Sequence, residues 1–385
     1  MLAASATAFD RVSAPAVDMA ARIPVASPNM PRAADLAPYL ERIDAAGWYS
    51  NFGPLVLEFE DRLAARFDRG ATVVTVANGT LALTLALEAL DLPRGSLCAL
   101  PSWTFVATAH AVRMAGLVPW FVDVQTDEGE LTPAGLLAAL PEAPGPVTAA
   151  MPVAVMGRPM SPAAWRAFQD ATGVKVIIDA AAGFDAAASA EVPVMVSLHA
   201  TKTLGVGEGG FIASEDPVFL SRLRAMTNFA FMGDRVSRHV ATNAKLSEYA
   251  AAVGLAALDQ WPTTRNRYAA AARHLRIALS DTTGVTFQDG WGTGWISSTC
   301  VVRLPPGTTD PVEASLTASG VDTRRWWGSG CHVAPAFTDC PASALPVTEA
   351  LAACSLGLPF FSDLGGDQIQ KIASALRSAL AGLKS

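Results

Sequence analysis

The chain has 385 residues, of which 51% are apolar and 16% charged, and its formal charge is −7. That length exceeds one ordinary core and implies two packed domains, and such an apolar content excludes a disordered chain. No basic block occurs, which argues against nucleic acid as a partner. Five cysteines (Cys98, Cys300, Cys331, Cys340 and Cys354) match neither a disulfide framework nor a zinc ligand set. No metal site is expected, and reduced thiols point to the cytoplasm. The N-terminus lacks the basic start and apolar run of a signal peptide, and no apolar stretch is long and unbroken enough to span a membrane.

Residues 1–22 read as a loose, alanine-rich tail, with order expected from Ile23. A helix is expected over 35–46, followed by a loop of turn formers from Trp48 to Pro54. From about 55 to 215, apolar strand runs alternate with helical patterns. The expected strands are Thr72–Val76, Ser96–Leu100, Val118–Val124, Ala149–Val155, Val174–Asp179 and Val194–Leu198. Leu81–Leu90 and Thr104–Ala115 read as helices. This alternation predicts a mostly parallel sheet sandwiched by helices. A helical run over 246–258 is expected to stop at Asp259-Gln260-Trp261-Pro262, with a second helix over 263–280. Short strands at Val285–Gln288 and Ser298–Leu304 and a last helix near 367–382 suggest a smaller α+β domain.

Four positions carry possible chemistry, each just after a predicted strand. Asn78-Gly79-Thr80 opens a helix, where free backbone N–H groups and a hydroxyl can hold a phosphate; a plain helix cap or a glycosylation sequon would look the same. Pro101-Ser102-Trp103-Thr104-Phe105 offers an aromatic face for a flat ring, although such aromatics are more often core. Asp179 ends a buried strand, where open α/β sheets bind ligands. It could keep a pyridine nitrogen protonated or merely cap the next helix. Lysine is scarce, with only Lys175, Lys202, Lys245, Lys371 and Lys384. Lys202 follows a buried strand and precedes Gly205, Gly207, Gly209 and Gly210. Desolvation there would lower its pKa, and a neutral amine can form a Schiff base with a carbonyl. On spacing alone, a surface lysine in a loop remains the commoner reading.

Together these stretches resemble the DegT/DnrJ/EryC1/StrS family of aminotransferases, mostly sugar aminotransferases. The resemblance runs from about residue 23 to 380. Its most specific part is Ser197-Leu198-His199-Ala200-Thr201-Lys202 followed by Glu208-Gly209-Gly210. Other matching stretches are Asn51–Pro54, Ala77–Leu90, Pro101–Thr108, Ile177–Ala181, Asn243–Glu248 and Arg324–Trp327 through Phe337. The family implies the fold type I architecture of pyridoxal 5′-phosphate (PLP) enzymes. It further implies that Lys202 holds PLP covalently, Asp179 pairs with the pyridine nitrogen and Phe105 stacks on the ring. Gly79, Thr80 and Ser197 would hold the phosphate. Asn243, in what reads as a turn before a long helix, would reach the phosphate in the neighbouring subunit of a homodimer.

The expected domains are a tail over 1–22, a PLP-binding domain over 23–260 and a small C-terminal domain over 261–385. The expected reaction moves an amino group from L-glutamate to a nucleotide-linked 3- or 4-keto-6-deoxy sugar, carried on dTDP, UDP or GDP. Two departures from the family stand out. Ala182 replaces a usually polar residue three after Asp179. Pro152-Val153-Ala154-Val155-Met156-Gly157 replaces a more polar stretch, so the acceptor pocket is expected to be less polar than usual. Two rival functions are a PLP- or pyridoxamine-dependent sugar dehydratase and a non-catalytic sensor. Lys202 argues against the first, and the intact set Thr80, Asp179, Lys202 and Asn243 against the second.

Overall fold

A computed structural model of the protein describes residues 22–125 and 128–383. The expected tail, apart from Arg22, and Lys384 lie outside the described residues. Arg22 pairs with Asp322 and Ile23 bridges Val321, so the chain is tied down where the described part begins.

Helices α1 (Ala33–Ala46) and α2 (Pro54–Ala64) lead into β1 (Thr72–Val76) and α3 (Gly79–Ala89). Then come β2 (Leu97–Pro101), α4 (Val106–Met114), β3 (Val118–Val122), α5 (Pro133–Ala139), β4 (Val147–Ala150) and α6 (Pro162–Thr172). Next are β5 (Lys175–Val176), β6 (Ile178–Asp179), β7 (Val194–Ser197), β8 (Gly210–Ser214) and α7 (Pro217–Met226). Strands β5 and β6 are one strand interrupted at Ile177. The Ile177 N–H reaches the Ala150 carbonyl at 3.1 Å, and the Asp179 N–H reaches Pro152 at 2.9 Å. The strands therefore form one sheet in the order β1-β8-β7-β6/β5-β4-β2-β3. Only β8 runs against its neighbours.

Side chains along these strands point alternately to opposite faces. Val73, Ala99, Val176 and Ile178 enter one apolar core, while Val74, Cys98, Leu100 and Ile177 enter another. Such runs are apolar throughout because helices cover both faces. The expected sandwich is what forms. Strand β8 was not expected: its five residues, Gly-Phe-Ile-Ala-Ser, follow a glycine-rich loop without a clear break.

Helix α8 (Glu248–Ala278) corrects the expected stop at Pro262, since the 31 residues form one helix. A proline inside a helix loses one hydrogen bond and costs about 3 kcal/mol. Burial of Trp261, edge-on to Phe184 at 4.7 Å, and of Tyr268 and Leu275 offsets that cost. The chain thus passes residue 260 without a break. It then adds β9 (Thr286–Phe287), β10 (Cys300–Arg303), α9 (Thr309–Ala318), α10 (Pro346–Cys354), β11 (Ser355–Leu358) and α11 (Gly366–Gly382). The three strands make an antiparallel sheet, β11-β10-β9, beside which α9 and α11 pack together.

Candidate active site

Strands β1, β2, β6 and β7 run in the same direction, so the residues after them gather at one edge of the sheet. At the end of β1, Asn78 caps α3 by accepting the Leu81 N–H at 2.9 Å. The cap reading is right for Asn78, yet it leaves the first-turn N–H groups of Gly79 and Thr80 without partners among the described residues. Ser197 lies alongside: a Cβ added to Gly79 would sit 3.3 Å from the Ser197 Cβ and 3.4 Å from its Oγ. Opposite, Gly210 lets β8 approach closely, because its Cβ would lie 2.9 Å from the backbone of Gly79. Two free amides at a helix start and a hydroxyl form a cradle for an anion.

Asp179 is buried at the end of β6, with 4% exposed. Its Oδ2 accepts the Thr108 hydroxyl at 2.8 Å and its Oδ1 accepts the Ala181 N–H at 3.0 Å. Burial pushes its pKa up, while these two hydrogen bonds and the charge of Lys202 pull it down. The next residues form turns rather than a helix, so Asp179 is not a helix cap.

Lys202 sits in a compact loop between β7 and β8. Its N–H bonds the His199 carbonyl at 2.9 Å, and Ala200 N–H and Gly207 carbonyl close the loop at 2.8 Å. Gly207, at φ +97°, makes that closure possible. Burial pushes the Lys202 ammonium pKa down, with Asp179 opposing in part. No hydrogen bond or ion pair holds its Nζ among the described residues. An acid, an uncommitted amine and an anion cradle on one rim fit the ring nitrogen, aldehyde and phosphate of PLP.

Phe105 stands at the N-cap of α4 with 59% of its surface exposed. Trp103 is instead core, edge-on to Trp327 at 5.3 Å. Around it, Ser102 Oγ meets His332 Nδ1 at 2.7 Å, drawing the chain after α9 onto the end of β2. Asn243 corrects the expected turn. It lies in an extended stretch bridged to Asn228, and Ser247 is the cap of α8. Asn243 is exposed, and its Oδ1 accepts from Lys245 Nζ at 2.6 Å; the same ammonium reaches Asn228 Oδ1 at 2.9 Å.

Ala154 and Met156 are buried, and the Ala154 N–H bonds the Asp179 carbonyl at 2.9 Å. A Cβ at Gly157 would collide with the Ala182 carbonyl, so the two turns interlock. With alanine at 154 and 182 and methionine at 156, this wall offers no side-chain donor of the usual kind. Thr108 and Glu248 each end a stretch that resembles the family, but the sequence reading gave neither a role. Glu248 accepts the N–H groups of Leu55 and Val56 at 2.8 and 2.9 Å, capping α2 from the start of α8. For Thr108, four-residue spacing from Thr104 was the available signal.

Residues 32–377 match the DegT/DnrJ/EryC1/StrS aminotransferase family. The chain belongs to that family. It is an aminotransferase of fold type I, and PLP is its cofactor, as in the PLP-dependent aminotransferases among its structural neighbours. One relative is the erythromycin biosynthesis sensory transduction protein EryC1 of Saccharopolyspora erythraea, 32% identical over 89% of this chain and 95% of its own. A second is the dTDP-4-amino-4,6-dideoxy-D-glucose transaminase of Escherichia coli, 28% identical over 92% of this chain and 98% of its own. The crystal structure of DesI with its TDP-sugar product is 34% identical, covers 94% of both chains and superposes with a TM-score of 0.85. Sugar aminotransfer is thus the family's business.

Proposed function

We propose that this family member moves an amino group from L-glutamate to a nucleotide-linked 3- or 4-keto-6-deoxy sugar, as a homodimer with shared sites. The observation that carries this reading is the placement, on one edge of the sheet, of the buried, hydrogen-bonded carboxylate of Asp179 and the Lys202 amine, whose Nζ no hydrogen bond or ion pair holds among the described residues. When bound, PLP supplies an electron sink that acidifies the proton on the carbon bearing the donor's amine. Lys202 Nζ takes that proton and returns it on the far side of the exchange, and in the second half-reaction works in reverse. Asp179 would keep positive charge on the ring nitrogen. Gly79, Thr80 and Ser197 would hold the phosphate, Phe105 would lie against the ring, and the partner subunit's Asn243 would donate to the phosphate.

The apolar wall of Ala154, Met156 and Ala182 supports a deoxygenated acceptor. The transaminase and the sugar-bound neighbour described above support a nucleotide carrier. No helix among the described residues is long and apolar enough to cross a membrane, and a cytoplasmic location suits a nucleotide-linked substrate. The test uses the purified holoenzyme. L-Glutamate alone should convert the bound cofactor to its pyridoxamine form, and one nucleotide-linked keto-6-deoxy sugar from a panel should then restore the starting spectrum. No conversion by glutamate would refute the donor; conversion with no sugar acceptor, but turnover of another cyclic ketone, would refute the acceptor.

A further inference from the structure

Asp179 poses a problem that the cofactor alone does not solve. A carboxylate so far from water tends to take a proton, and a neutral acid cannot hold charge on a pyridine nitrogen. We propose that Thr108, backed by Thr104, is a positioning residue that keeps Asp179 ionised and fixes which carboxylate edge faces the cofactor. This rests on the reading of Asp179 as the partner of the ring nitrogen.

The usual fate of a helical threonine hydroxyl is to bond the carbonyl four residues back. Two other helices of this chain show it: Thr84 bonds the Thr80 carbonyl at 2.9 Å, and Thr172 bonds that of Phe168 at 2.8 Å. Thr108 does not. It stands in the first turn of α4, where the carbonyl four residues back, that of Thr104, precedes the N-cap Phe105 and lies outside the helix; that carbonyl accepts the Cys331 thiol at 3.3 Å. The Thr108 hydroxyl instead crosses to Asp179 Oδ2, 71 residues away, at 2.8 Å. Its single proton is then spent, so its oxygen can only accept from the Thr104 hydroxyl, 2.8 Å behind it. Both threonines are buried, so neither hydroxyl turns to bulk water.

The proton order is therefore set, from Thr104 to Thr108 to Asp179. Each bond in the chain polarises the next towards the carboxylate. Ala181 N–H holds Oδ1 on the other side. A hydrogen bond to the charged form favours that form. The pair also joins two parts of the site, since Thr104 precedes the N-cap Phe105 and Thr108 follows it in the first turn of α4.

The experiment reconstitutes the full-length enzyme with PLP labelled with ¹⁵N in the ring and records the nitrogen's chemical shift between pH 6 and 9. In the native protein the signal should be that of protonated pyridine throughout. Thr108→Val keeps the shape and removes the donor. Its signal should move towards the neutral value, with kcat falling about tenfold and KM for glutamate little changed. Thr108→Ser should restore the native signal, and Thr104→Val should give a smaller displacement in the same direction. A native signal in Thr108→Val, when Asp179→Asn gives a neutral one, overturns this proposal and leaves the Asp179 reading standing. A native signal in Asp179→Asn refutes that underlying reading instead. Should Thr108→Val fail to fold, an undisplaced signal in Thr104→Val overturns the proposal by itself.

Discussion

In the function proposed above, Asp179 and Asn243 would serve one cofactor, yet their surroundings are opposite. Asp179 is buried and takes donors on both oxygens from its own chain. Asn243 is exposed, and among the described residues its side chain is engaged only at the carbonyl end, by Lys245. The difference follows from where the partners come from. A group that must stay charged inside the fold needs its hydrogen bonds supplied by the fold. A group destined for another subunit's ligand needs exposure, with only its direction set. Because the ammonium binds Oδ1, the Asn243 amide presents its NH₂ end outward, as a donor suited to an anion.

The largest effect should come from the buried floor of the site, around Asp179 and Lys202. Lys202→Ala should lower transamination at least about a thousandfold, and borohydride should then fix no cofactor to any other lysine on a peptide map. The apoprotein carries a second signature. Burial lowers the pKa of Lys202, so between that lowered value and the ordinary one the unfolded chain binds the extra proton. Native stability therefore rises with pH through that window, and the penalty is complete below it. Lys202→Met removes the penalty. Near pH 7 its apo form should melt about 1–3 °C above the native apoprotein, and the gap should close as pH rises towards the ordinary lysine value. A gap that widens with pH would mean the amine is not desolvated.

Much of this floor was legible in the sequence because it is local. Runs such as Thr72–Val76 and Val174–Asp179 are rich in β-branched residues, and the residues after them fall on one edge once the strands are parallel. Glycines after Lys202 marked the loop. Less legible was whatever depends on distant partners. Pro262 reads as a helix end unless the burial of Trp261 against Phe184 is known. Asn243 reads as a turn because the bridge to Asn228 pairs two segments with no local pattern. Thr108 gave no sign that its hydroxyl would leave its helix, since the partner it finds, Asp179, is 71 residues on.

An intermediate effect should come from the cradle wall. A Cβ at position 210 would meet backbone atoms of Asn78 and Gly79 at 2.9–3.0 Å, and backbone cannot swing aside as a side chain does. Gly210→Ala should move the start of α3 off β8 and cost about 1–3 kcal/mol of stability. The dissociation constant for PLP should rise about tenfold, measured by quenching of tryptophan fluorescence. If stability falls while the constant is unchanged, the phosphate is not held at the start of α3.

The smallest effect should come from the outward segment, and it separates orientation from contact. Lys245 binds both Asn228 and Asn243 and lies 5.3 Å from the Phe229 ring centroid. Lys245→Met keeps an unbranched chain over that ring and removes the donor. The Asn243 amide would then be free to rotate and present its carbonyl, which repels a phosphate. Losing one such orientation should weaken PLP binding about two- to fivefold, the scale of a single net hydrogen bond. Asn243→Ala deletes the donor itself and should weaken binding somewhat more. The double variant decides how Lys245 acts. If it acts only by turning Asn243, the double variant binds PLP no worse than Asn243→Ala, because there is no amide left to turn. If the two losses simply add, Lys245 contributes through its own charge, and the outward segment works by electrostatics rather than by presenting one amide.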